Sequence, residues 1–303
     1  YTLSLHDALP IYDMLEMKHI KVNYGEFVAL DMGRDIIVDA HDIVGIVGSN
    51  GAGKSTLIKA LTNQVAYTGK IVKPGQIAVH LQENNYPATV TCRTILEGLL
   101  QTTYKKDPKL IALVQFFDFE KNLKKKVAQL SGGQKQRLTI IMVLYQDAPL
   151  TCFDELSTGL DFETRFNLMA KIKAWYANKP AMILLITHYF DELEKLANKL
   201  LIINQGHVVD YDLTTMLFAK YVGYSAVVVD APQLAINLPK GCDIIRGEAG
   251  QTVIGCDNQN SQQLVIAHLN QHGFTFSATR TSVTLIYLNA LHRREINRLG
   301  QTS

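Results

Sequence analysis

The chain has 303 residues, 47% of them hydrophobic and 19% charged, and a formal net charge of +2. That length exceeds a typical domain of about 100 to 200 residues, so two units are expected, and so small a net charge excludes a strong field for nucleic acid. No apolar run approaches the roughly 20 residues a membrane helix needs, which excludes a chain that crosses a membrane by itself.

Residues 1–13 are set apart: Tyr1-Thr2-Leu3-Ser4-Leu5-His6-Asp7-Ala8-Leu9-Pro10-Ile11 resembles the translation of a short-read sequencing adapter, and the start is expected at Met14 or Met17. Ile20 to Tyr24 alternates like a strand, and Ile36-Ile37-Val38 suggests a second. Tyr24 either stacks on a purine or is an ordinary core tyrosine. The apolar run Ile43 to Val47 leads into Gly48-Ser49-Asn50-Gly51-Ala52-Gly53-Lys54-Ser55-Thr56, followed by the helical Leu57 to Leu61. Strand, G-x-x-x-x-G-K-[ST] and helix together make a phosphate loop, because glycines let backbone N–H groups converge on phosphate oxygens. Lys54 would reach the β- and γ-phosphates, and the Ser55 hydroxyl would ligate Mg²⁺. The alternative is a glycine-rich turn without a ligand.

Two short strands follow, Tyr67 to Val72 and Gln76 to Leu81, with Gln82 ending the second. From about Thr91 to Gln129 the spacing is helical. The cluster Lys121, Lys124, Lys125 and Lys126 reads as a solvated helix face. This helical insert, about residues 86–145, runs into Leu130-Ser131-Gly132-Gly133-Gln134, where Ser131 caps a buried helix and the two glycines form a second anion-site candidate. The strand Leu150 to Asp154 ends in two carboxylates, Asp154 and Glu155. Beside a phosphate loop one can hold Mg²⁺ while the other deprotonates water; otherwise they are acids at a helix start. Met182 to Thr187 is a continuous apolar strand ending at His188, then come a helix over Asp191–Lys199, a strand over Leu200–Ile203 and a hairpin at Asn204-Gln205-Gly206.

The remainder reads as a small α+β unit without a catalytic cluster. It has strands near Ala226, Asp243 and Thr252, a helix over Ser261–His272 stopped by Gly273, a strand from Phe274, and a last helix Val283–Leu299 with Leu285, Leu288, Leu291 and Ile296 on one face. The four cysteines, Cys92, Cys152, Cys242 and Cys256, show neither C-x-x-C pairing nor metal spacing, and read as reduced, cytosolic and structural.

Taken in order, these motifs resemble the ATP-binding subunit of ATP-binding cassette (ABC) transporters over roughly residues 17–215. The resemblance implies an α/β P-loop NTPase with a parallel core sheet, a small antiparallel β-subdomain and a helical insert at 14–222. The α+β accessory domain would occupy 223–303. It makes Tyr24 the adenine-stacking aromatic, Gly48 to Thr56 the Walker A loop, and Gln82 the Q-loop glutamine that senses Mg²⁺ and water. Leu130, Ser131, Gly132, Gly133 and Gln134 match the signature, acting on the nucleotide of a second cassette. Asp154 matches the Walker B aspartate that holds Mg²⁺ with Ser55 and Gln82, Glu155 the catalytic glutamate, Asp161 the D-loop aspartate and His188 the switch histidine. ATP and Mg²⁺ are the implied ligands. The implied partners are a second cassette, in a homodimer or heterodimer, and a separately encoded transmembrane permease at the cytoplasmic face of the membrane; no nucleic acid is expected. The C-terminal unit resembles an extra domain on some bacterial exporters, which favours export. Leu156 and Ser157 replace the usual Pro-Thr, Ser49 replaces a common proline, and the β-subdomain is compact. That last feature leaves a second reading, a soluble ABC ATPase acting on ribosomes or nucleic acid.

Overall fold

The computed structural model describes residues 14–80, 86–232 and 237–299. The chain runs β1 (Met14–Tyr24), β2 (Phe27–Asp31), β3 (Ile36–Asp39), β4 (Ile43–Val47), α1 (Lys54–Leu61), β5 (Thr68–Val72), β6 (Ile77–His80), α2 (Cys92–Leu99), α3 (Pro108–Phe116) and α4 (Gly132–Tyr145). It continues β7 (Leu150–Asp154), α5 (Phe162–Tyr176), β8 (Met182–Ile186), α6 (Phe190–Leu196), β9 (Lys199–Asn204), β10 (His207–Leu213) and α7 (Thr214–Tyr221). The last elements are β11 (Ser225–Val229), β12 (Cys242–Ile245), β13 (Thr252–Cys256), α8 (Gln259–Gln271), β14 (Phe276–Thr279) and α9 (Val283–Leu299).

Among the described residues ten strands make the first sheet, in the order β3-β1-β2-β10-β9-β4-β8-β7-β6, with β5 on β1. Strands β9, β4, β8, β7 and β6 are parallel neighbours, whereas β1 pairs antiparallel with β2, β3 and β5. The unbroken apolar run of β8 is explained by burial on both faces. Met182, Leu184 and Ile186 join the core that carries α1, while Ile183 and Leu185 join the core of α4, α5 and α6. Between β6 and β7 the regular structure of the described chain is helical apart from one bridge, Thr91 to Lys126.

The second sheet is antiparallel, in the order β12-β13-β11-β14. Alternation along β11 gives its two faces different jobs. Val227 and Val229 pack with Val265 and Leu269 of α8, while Ala226 joins the core shared with α7, α9 and the helices of the first sheet.

Several expectations are corrected. The helix expected over Asp191–Lys199 ends at Leu196, because Lys199 already pairs with Val44 in the sheet. The lysine cluster sits on turns and a single 3₁₀ turn rather than a helix face. On α9 the buried positions are Val283, Leu285, Ile286, Asn289 and Ala290, whereas Ile296 is 55% exposed; from Leu291 on, no described residue of α9 is buried. Helices α5 and α7 and strand β2 had no counterpart in the sequence reading. The cysteines are all free and buried, with Cys242 Sγ 3.9 Å from Cys256 Sγ across β12 and β13.

His80 ends β6 fully buried beside the ring of Phe153. Burial holds its imidazole down to about 4, against the ordinary 6.5. The unfolded chain therefore takes up a proton near pH 6.5 that the folded chain refuses, so this contribution is present above about 6.5 and is lost as pH falls toward 4. Urea unfolding followed between pH 7 and 4 should show stability falling by up to about 1.4 kcal/mol per pH unit from this group, and His80→Phe should flatten that limb.

Candidate nucleotide site

Strand β4 ends at Val47, and the chain must then leave the sheet beside β9. A Cβ on Gly48 would stand 2.3 Å from the Ile203 carbonyl oxygen, so only glycine permits the exit. Gly53, at φ +108°, closes the loop where a Cβ would meet the Ala29 carbonyl oxygen at 2.8 Å. Helix α1 starts here with no side-chain cap. Its first N–H groups have no partner within the helix, and Gly53, Lys54, Ser55 and Thr56 all line one cleft, a ready anion site.

Lys54 is 7% exposed, and its Nζ donates to the carbonyls of Gly48 at 2.7 Å and Ser49 at 3.0 Å. Burial pushes its ammonium below the usual lysine range, and the nearby Glu155 and Asp154 carboxylates oppose that shift. Asp154, at the tip of β7, is buried, which pushes its carboxyl up; the Ser55 hydroxyl, hydrogen-bonded to it, pulls the other way.

Glu155 turns out of the strand at φ +52°, a left-handed conformation that is uncommon for a side chain with a Cβ. Its N–H donates to the Ile186 carbonyl at 2.9 Å, which pins the turn to β8. The carboxylate is aimed at His188: Oε1 lies 2.6 Å from Nε2, and Oε2 accepts from Thr158 Oγ1 at 3.1 Å. Register explains the meeting, since Asp154 pairs with Ile186 and Ile46 pairs with Ile186 on the other side.

The cleft of about 610 Å³ is lined by Asn50 to Thr56, Glu155, His188, Tyr24, Phe27 and Ala29. Tyr24 is 48% exposed, at the mouth rather than in the core. Phe27, directly opposite it across the hairpin, is a lining residue that sequence reasoning missed. Its only signal was an aromatic just past the Gly25 turn. Gln82 lies outside the described residues.

Leu130 to Gln134 lie elsewhere. A second cleft, of about 320 Å³, is lined by Ser131, Gly132, Gly133, Gln134 and Arg137 together with Gly159, Leu160, Asp161 and Thr164. Ser131 caps α4, accepting from Gln134 N at 3.4 Å while Gln134 Oε1 accepts from Ser131 N at 3.2 Å. Asp161 caps α5, and the Thr164 N–H, donating at 2.9 Å, and hydroxyl hold its carboxyl below the usual range. Leu130 itself is buried in the helical core. The structure thus joins the signature to Asp161 and keeps both apart from the phosphate loop of the same chain.

Beneath the first cleft lies a carboxylate that sequence reasoning passed over. Glu192, 1% exposed, accepts from Ser157 Oγ, and from Thr187 Oγ1 at 2.8 Å, with Arg165 Nε 3.8 Å away. It ties the loop after Glu155 to the residue before His188. Nothing in the local sequence separates it from the neighbouring Asp191.

Phosphate loop, strand-tip acids and parallel sheet define a P-loop nucleotide-binding protein. Residues 34–158 match the ABC transporter family model. The Nod factor export ATP-binding protein I of Rhizobium sp. (strain N33) is 25% identical over 92% of this chain and 97% of its own length. That of Rhizobium meliloti is 28% identical over 71% and 69%, and the methionine import ATP-binding protein MetN of Rhizobium johnstonii is 29% identical over 68% and 63%. A solved ATP-binding subunit of an ABC transporter superposes with a TM-score of 0.62 at 25% identity, over 69% of this chain and 93% of that one. A dimeric bacterial ABC transporter cassette shares the fold, with a TM-score of 0.59 at 20% identity, over 66% and 98%. The family match thus covers residues 34–158, and the chain is similar to ATP-binding subunits of ABC transporters.

Because Glu192 is buried between two hydroxyl donors and Arg165, Glu192→Gln leaves at least one donor misdirected and the guanidinium without its full counter-charge. The urea midpoint should fall by the equivalent of about 1 to 3 kcal/mol at unchanged m-value, read by circular dichroism.

Proposed function

We propose that this chain is the ATP-hydrolysing subunit of an exporter, driving a separately encoded membrane permease from the cytoplasmic face. The observation that carries the reading is one cleft lined by Lys54, Ser55, Glu155 and His188, with buried Asp154 hydrogen-bonded to Ser55 behind it and the signature residues in a second cleft of the same chain. In this reading the first N–H groups of α1 and Lys54 bind the phosphates, and Tyr24 and Phe27 flank the base. Glu155 accepts the proton of the attacking water, and His188 holds both that carboxylate and the γ-phosphate. Two phosphate-facing clefts on one chain suit a head-to-tail pair of cassettes, in which Ser131 and Gly133 complete the partner's site and Asp161 lies beside them. A homodimer would then have two complete sites.

The donor set also fits Mg²⁺. Ser55 and Asp154 already share a hydrogen bond between oxygen atoms, and among the described residues no cluster of His, Cys, Asp or Glu forms a protein-only cage. That matches a cation bound by one carboxylate, one hydroxyl and the substrate's own phosphates, with Gln82 as a further ligand. When bound, Mg²⁺ neutralises charge on the β- and γ-phosphates.

No described helix is long and apolar enough to cross a membrane. Export is favoured by the relative that aligns along almost its whole length, C-terminal unit included. We take residues 14–222 as the ATPase domain and 223–303 as an accessory domain.

A general base is worth about 10²- to 10⁴-fold in rate. Glu155→Gln should keep wild-type ATP affinity and lose turnover by that factor, measured by nucleotide binding and phosphate release; retained turnover would sink the assignment. Affinity purification of the tagged chain from gently solubilised cells should bring down a multi-span membrane protein.

A further inference from the structure

Arg165 links the edge of the second cleft to the segment that carries His188. Its backbone lies one turn into α5, where its N–H donates to the Asp161 carbonyl at 3.0 Å, and Asp161 lines the second cleft. Its side chain, 13% exposed, crosses to the start of α6. There Nη2 stands 3.4 Å from Asp191 Oδ2 and Nε 3.8 Å from Glu192 Oε1, while the guanidinium carbon sits 4.0 Å from the centroid of the Tyr189 ring.

Tyr189 is the residue after His188. The histidine side chain is 45% exposed, so packing does little to fix it, and its place beside Glu155 depends on the backbone to either side. Before it, the Thr187 hydroxyl donates to Glu192 Oε2 at 2.8 Å, and the same hydroxyl oxygen accepts from Tyr189 N at 3.0 Å. After it, the Tyr189 ring lies against Arg165. A counter-charge for Glu192 would need only a cation. A flat guanidinium that also covers an aromatic face does what a compact ammonium does less well.

We propose that Arg165 is a positioning residue for hydrolysis, which by stacking on Tyr189 keeps His188 in line with Glu155 and ties both to the helix turn that Asp161 begins. This rests on the ATPase reading above. A catalytic group on an exposed side chain works only while its backbone holds it in place, and a displacement of about 1 Å can cost about 100-fold in rate. Arg165 does not line the nucleotide cleft, so its effect falls on the chemical step rather than on ATP binding.

The test compares full-length wild type with Arg165→Lys and Tyr189→Leu. Lysine keeps a positive charge for Glu192 and loses the flat face, whereas leucine removes the ring and leaves the ion pairs of Arg165 in place. In each, kcat should fall by about 10- to 100-fold with the ATP dissociation constant unchanged. The double variant should lose no more than either single one, because both changes remove the same contact. Tyr189→Phe, which keeps an aromatic face, should recover the turnover that Tyr189→Leu loses. Without nucleotide, amide exchange in the peptide spanning residues 187–192 should be about two- to ten-fold faster in Arg165→Lys, the range expected for one weakened contact. Undiminished kcat in either single variant, multiplied losses in the double variant, or unchanged exchange in that peptide overturns the role of Arg165. So does a Tyr189→Phe variant no more active than Tyr189→Leu, since that marks a side chain needed for structure alone. A wild-type chain without ATP turnover would overturn the ATPase reading and this catalytic role with it, even where the exchange difference remained.

Discussion

Every charged group of the nucleotide cleft hangs from strands that finish level with one another. The parallel pairing of β4 with β8 and of β8 with β7 sets Ile46, Ile186 and Asp154 side by side. Parallel strands require crossovers, and here each crossover delivers a helix or turn to the same carboxyl edge of the sheet. Lys54 comes from the first such turn, Glu155 from the second and His188 from the third. Slip of one strand by one residue would turn its apolar set away from the cores that α1 and α4 to α6 complete, so burial on both faces also holds the site in register.

That rigidity lets the cleft keep charges that water would otherwise stabilise better. Lys54 and Asp154 are shifted in opposite directions by the same burial, and each is the other's counter-charge. Lys54 meanwhile spends its hydrogen bonds on carbonyls of its own loop, and Glu155 is shared between His188 and Thr158. These are internal pairings that a phosphate and a metal could exchange for stronger ones, so little new structure has to form on binding.

The separation of the two clefts follows from the same geometry. Ser131 and Asp161 both serve as helix caps, on α4 and α5, and those helices lie on the opposite face of the sheet from α1. Folding satisfies both side chains locally while leaving them at the surface. The second sheet belongs mechanically to this body as well: Ala226, Val253 and Ile286 enter one core with Phe218 and Leu193. A shared core transmits displacement between the two sheets.

The sequence by itself determined what was local. Glycine spacing followed by Lys54 and Ser55, the acids closing an apolar strand, Ser131 as a cap and the turn at Gln205-Gly206 all depend on neighbours within a few residues, and the structure has each of them. Such features are legible because propensity, capping and turn chemistry act over that range. Only tertiary structure decided the rest. Glu192 reads like any first-turn acid until strands β7 and β8 bring Ser157 and Thr187 to it, and Phe27 like any strand aromatic until the hairpin sets it beside Tyr24. Tyr287 reads like one face of a last helix until α9 packs its ring against Phe190 of α6. Those relationships join parts of the chain that are distant in sequence, and loop closure and packing, not local preference, bring them together.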